Sequence, residues 1–74
     1  MKEEINSAIK EFVPLYEDVT TSDLQGICMA RASQIIRNNN GNKKPDVMEV
    51  MEISGEILEG IYETIEGGEQ NAKN

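Results

Sequence analysis

The sequence predicts an all-α protein, a small bundle of three helices. Apolar residues recur at helical spacing in three separate segments, no segment shows strand-like alternation, and the punctuation between segments leaves only short connections. Seventy-four residues suffice for one domain with a small core. With Phe12, Tyr16 and Tyr62 as the only aromatic residues, few large side chains are on hand to fill it. Association into a homodimer is the natural remedy. The domain is expected over residues 1–68, with a flexible tail at 69–74.

The first helix is expected from Lys2, where Ile5, Ala8, Ile9, Phe12 and Val13 share one face. Pro14 lacks a backbone donor and crowds the preceding turn, so the helix either ends near Val13 or kinks into a further turn through Tyr16. Leu15 and Val19 extend the same stripe and favour the kink.

Ser22 and Gln25 have the spacing of a capping box and predict the start of the second helix. Its apolar side gathers Leu24, Ile27, Cys28, Ala32 and Ile35, with Ile36 at the margin, and Gly26, Ala30 and Ser33 form a small-residue strip opposite. The run Asn38 to Asn42, with Gly41 inside it, supplies residues that tolerate the left-handed backbone closing a helix.

Pro45, then Asp46 and Glu49 at capping-box spacing, predict the third helix. Val47, Val50, Met51, Ser54, Ile57, Leu58, Ile61, Tyr62 and Ile65 form its broad apolar arc, flanked by Met48 and Ile53, until Gly67-Gly68 ends the pattern. Within the arc, Val47, Met51, Ser54, Leu58, Ile61 and Ile65 alternate in steps of four and three, the spacing of a coiled-coil seam. That seam fits either the other two helices or a second copy of the chain.

Composition narrows the function. An apolar content of 38% is low but periodically arranged, so the chain is expected to fold. A formal charge of −7 and a pI near 4.4 oppose direct binding to nucleic acid and favour basic partners. A single cysteine, Cys28, makes no intrachain disulfide, and the first residues lack the apolar run of a signal peptide. A cytoplasmic setting is expected, that of a host if the chain is phage-encoded.

The third helix carries the most informative pattern. Glu49, Glu52, Glu56, Glu59, Glu63 and Glu66 alternate at three and four residues and form one carboxylate ridge, with no Lys, Arg or His between Asp46 and Glu69. Five like-charged neighbour pairs in series cost about 1–2.5 kcal/mol of helix stability. The ridge spans about 26 Å at helical rise, the length of about seven or eight nucleotide steps of one DNA strand. In size and charge the chain resembles the small acidic proteins of phages and mobile elements that mimic DNA. The ridge glutamates carry that likeness, assisted by Glu17, Asp18, Asp23 and Asp46. The resemblance implies binding to a basic nucleic-acid-binding host protein, such as a nucleoid or transcription protein, in competition with DNA. The partner-binding residues are then the six ridge glutamates with Asp46, Glu17 and Asp18. A plain solvated face is the simplest alternative for the ridge. The rival function is that of a helical adaptor or inhibitor gripping polymerase or protease machinery through apolar residues.

The Glu-x-x-Glu repeat also resembles that of all-α nucleotide pyrophosphatases, which hold Mg²⁺ on helical carboxylates. Those enzymes use a second acidic pair on another helix, whereas the second helix here offers only Asp23. Neither catalysis, nor a metal, nor a cofactor is therefore expected. Cys28 reads as a small core residue, since no histidine is present to activate it. Arg31 reads as a side chain snorkelling at the core edge, or paired with an acid of the third helix or a second subunit. Lys43 and Lys44 read as a solvated loop, and exposure of Met48 or Ile53 would mark a partner patch.

Overall fold

The computed structural model describes the backbone of residues 1–73 and the side chains of residues 1–67. Among these it contains α1 (Lys2–Phe12), a 3₁₀ turn (Val13–Leu15), α2 (Thr21–Asn39) and α3 (Val47–Lys73), and no strand. This is the expected all-α three-helix bundle. Both shorter helices pack on α3, which sets the long dimension of a body measuring 46 × 24 × 18 Å.

Pro14 acts between the two expected outcomes. The α-helix ends at Phe12, and the chain tightens into the 3₁₀ turn, where the Tyr16 amide donates to the Val13 carbonyl at 3.2 Å. A three-residue bond step spans the missing donor while still carrying Leu15 to the core edge.

The second helix starts earlier than Ser22 implies. Thr20 is the capping residue: its extended backbone places Oγ1 to accept the Asp23 amide at 3.1 Å, and its carbonyl accepts the Leu24 amide at 2.9 Å. Two Ser/Thr frames overlap here, and the Thr20 frame is the one used: Asp23 stands at the third helical position, its amide on the Thr20 hydroxyl and its charge in the first turn, where the helix dipole favours it. At the other end Gly41 and Asn42 both have positive φ, 73° and 67°, and the Asn42 amide donates back to the Arg37 carbonyl at 2.8 Å. Asp46 caps α3 by accepting the Met48 amide at 3.3 Å. Among the described hydrogen bonds Glu49 returns none to Asp46, so the expected box is half made.

Contrary to the stop expected at Gly67-Gly68, α3 runs on to Lys73. Glycine weakens a helix interior by about 1 kcal/mol and commonly closes a helix by adopting the left-handed backbone itself, which Gly67 does not do. The expected flexible tail, as far as its side chains and Asn74 are concerned, lies outside the described residues.

The core joins Ala8 and Phe12 of α1, Leu24, Cys28, Ala32, Ile35 and Ile36 of α2, and Ile53, Ile57 and Ile61 of α3. Contacts along the helices give the topology. Glu4 meets Asn39 and Glu11 meets Arg31, so α1 and α2 are antiparallel. Met29 and Ser33 border Val47 and Val50, while Gln25 borders Leu58, so α2 and α3 are antiparallel as well.

The α3 register differs from the expected seam. Ile53, placed at the flank, is buried, whereas Val47 and Met51, placed in the arc, are 68% and 58% exposed. Leu58 is only half-buried. The cause is α1, which lies close against α3 at Gly60, where a Cβ would overlap the Ile9 side chain. This close approach draws the core towards Ile53, Ile57 and Ile61 and leaves the Met51 edge outside.

Candidate partner-binding surface

All six ridge glutamates are exposed, on one uninterrupted helix. The buried residues of α3 explain why they share a side. Ile53, Ile57 and Ile61 step by four and claim one face, and the glutamates, out of phase with them, are turned to solvent. No ridge glutamate forms a salt bridge among the described residues. Lys2 and Glu56 border the same shallow hollow between α1 and α3 without pairing within salt-bridge distance. Among the described residues the row is therefore a line of carboxylates with no paired cation.

The other acids assigned to the surface fall into two places. Asp46 is exposed at the start of α3, in series with the ridge, although its carboxylate also caps the helix. Glu17 and Asp18 are exposed in the turn after the 3₁₀ segment. Tyr16 meets Tyr62 edge to face, centroids 5.7 Å apart, and so sets that turn against α3 at the level of Tyr62. These two acids join the acidic half of the molecule without entering the row. Asp23 is exposed on the first turn of α2.

Arg31 pairs with an acid of α1, not with one of α3. Its Nη1 lies 2.6 Å from Glu11 Oε2, and its guanidinium stacks 4.9 Å from the centre of the Phe12 ring. The first helix is nearer to it than the third, and the Phe12 face shields the guanidinium while Glu11 neutralises it. On the same side the Asn39 amide donates at 2.7 Å both to Glu4 Oε1 and to the Ile35 carbonyl. That hydrogen bond holds the Glu4 carboxyl below its usual range. Cys28 is buried, and burial pushes its thiol up, away from the thiolate form.

A second surface was only partly visible in the sequence. Met29, Val47 and Met51 are 47–68% exposed along the outer α2–α3 edge, and Met48, 66% exposed, lies beyond it on α3 towards the ridge side. Two hollows meet at Met29, one bordered by Met51, Gly55 and Leu58, the other by Val47, Arg37 and Lys44. Neither hollow is bordered by a carboxylate, which in a chain of charge −7 separates this surface chemically from the ridge. Among the described residues no group of three or more His, Cys, Asp or Glu converges as metal ligands do, and no helix is long and apolar enough to cross a membrane.

Compared with protein-family models, with curated proteins and with solved structures, the chain matches none.

Proposed function

We propose that this protein is an acidic DNA mimic, which binds a basic nucleic-acid-binding protein and competes with DNA for it. The observation that supports this is the row Glu49, Glu52, Glu56, Glu59, Glu63 and Glu66, exposed along α3 and without a salt bridge among the described residues. A rigid helix holds the charges in a line before any partner arrives, so little ordering entropy opposes docking. A cationic groove shaped for a phosphate strand meets about 26 Å of evenly spaced negative charge, and counterions leave both surfaces.

A second function is favoured by a different observation, the exposed Met29, Val47, Met48 and Met51. Through them the chain acts as a helical adaptor or inhibitor on a target that does not bind DNA. Salt separates the two. Charge mimicry weakens steeply as the screening length falls from about 10 Å at 0.1 M salt to about 3 Å at 1 M, and an apolar grip does not. Affinity capture from lysate with a salt-gradient elution is the test. Release of a basic DNA-binding protein at moderate salt supports mimicry; retention of a non-DNA-binding target through high salt supports the adaptor.

A further inference from the structure

We infer that the outer α2–α3 surface is a self-association face, on which two copies of this chain pack antiparallel. The inference stands apart from the mimic proposal, since it uses the edge of α3 that the ridge does not occupy.

Exposed apolar side chains gather on this face, with Met29 and Met51 at its middle and Val47 to one side, and the half-buried Leu58 borders it on the other. Gly26 and Ala30 are exposed on the adjoining part of α2, and a Cβ at Gly26 would touch nothing, so a second helix has room to come close. Val47, Met51 and Leu58 keep the steps of four and seven that a facing helix requires. Within one copy only Leu58 of the three packs partly on the core, because Ile53, Ile57 and Ile61 fill it, and Val47 and Met51 are left outside.

Charge selects the occupant and its direction. Three of the seven cationic residues, Arg37, Lys43 and Lys44, are exposed at the end of the face where α2 leads into α3. Glu17, Asp18 and Asp23 are exposed at the opposite end of α2. Asp23 and Arg37 stand seven residues either side of Ala30, about 10 Å each way. A two-fold axis in the plane of the face, crossing the helices near Ala30, turns the second copy end for end. The cationic end of each copy then meets the anionic end of the other. A parallel arrangement instead sets cations on cations and acids on acids. The surface is thus complementary to itself in one orientation, and its middle holds no carboxylate to bury.

Sedimentation equilibrium on the full chain tests the inference, with circular dichroism confirming that each variant is folded. The parent should show a reversible monomer–dimer equilibrium. Met51→Glu, a change at an exposed position, should keep the helical spectrum and sediment as a monomer. Arg37→Glu should raise the dimer dissociation constant by about two- to thirtyfold, since symmetry counts each exposed pair twice. Adding Asp23→Arg to Arg37→Glu should restore most of that loss. A parent that stays monomeric at millimolar concentration, or a Met51→Glu variant that dimerises like the parent, overturns the self-association face. A dimer that the charge swap fails to restore overturns the antiparallel arrangement. No DNA competition enters these readouts, so they fail or succeed independently of the ridge.

Discussion

Residues 47–51 and residues 53–61 of α3 are similarly apolar, yet they meet opposite fates. Val47, Met48 and Met51 are more than half exposed, whereas Ile57 and Ile61 are fully buried and Ile53 nearly so. Both stretches lie on one helix and both neighbour α2. What separates them is α1, which crosses α3 at Gly60 and covers the isoleucine side only. Burial here follows from where the third helix lands, and the apolar edge it leaves uncovered becomes surface chemistry.

The sharpest way to break that contrast is truncation on both sides of it. Ile57→Ala should cost about 2–5 kcal/mol in urea unfolding, while Met51→Ala should stay within about 0.5 kcal/mol of the parent. Leu58→Ala, half-buried between them, should cost about 1–2 kcal/mol. Equal losses at positions 51 and 57 would dissolve the distinction.

The crossing itself is probed with glycines. Gly60→Ala should destabilise by about 0–2 kcal/mol, because its methyl overlaps the Ile9 side chain, which must shift, while alanine regains about 1 kcal/mol of helix propensity. Combined with Ile9→Ala it should cost less than the two single changes together. Gly26→Ala, whose methyl meets open space, should instead stabilise the monomer by about 0.4–1 kcal/mol. Thermal melts of the four variants decide the matter, and a stabilised Gly60→Ala protein would show that α1 does not press on α3.

Two polar ties hold α1 to α2 and should have smaller effects. Glu11→Gln leaves Arg31 stacked on Phe12 without its carboxylate and should cost about 0.2–1 kcal/mol. The loss should shrink as salt rises, and a salt-independent loss would point to packing instead. Asn39→Ala removes the amide that lowers the Glu4 carboxyl, so the Glu4 titration followed by NMR should move up towards the ordinary carboxylate range. Because the folded value is depressed, the associated stability is present above the unfolded value and is lost as pH falls through the folded one. An unmoved Glu4 titration in the Asn39→Ala protein would show that the hydrogen bond does not form in solution.

Helix number, the apolar side of α2 and the exposure of the ridge were legible in the sequence because each repeats a local spacing. Leu24, Cys28, Ala32 and Ile35 declare a face by period alone. The rotation of α3 was not legible, since Val47, Met51 and Leu58 fit a seam as well as Ile53, Ile57 and Ile61 do. Only the approach of α1 over a side-chain-free Gly60 chooses between them, and that contact is remote in sequence. The same holds for Arg31, whose partner Glu11 lies twenty residues away. For the candidate site, the glutamate row could be read directly from spacing. The α2–α3 surface required knowing which apolar residues the core had not taken.

The central claim is that the ridge carries binding. It is tested most directly by fluorescence-anisotropy competition, with labelled duplex DNA displaced from a basic nucleoid protein. The parent protein should displace the DNA without binding it, and displacement should fade as salt rises from roughly 0.05 to 0.5 M. The variant with Glu52, Glu56, Glu59 and Glu63 all changed to Gln should be folded, even slightly firmer through relieved repulsion, and should displace nothing. A folded quadruple variant that displaces DNA as well as the parent would contradict the account.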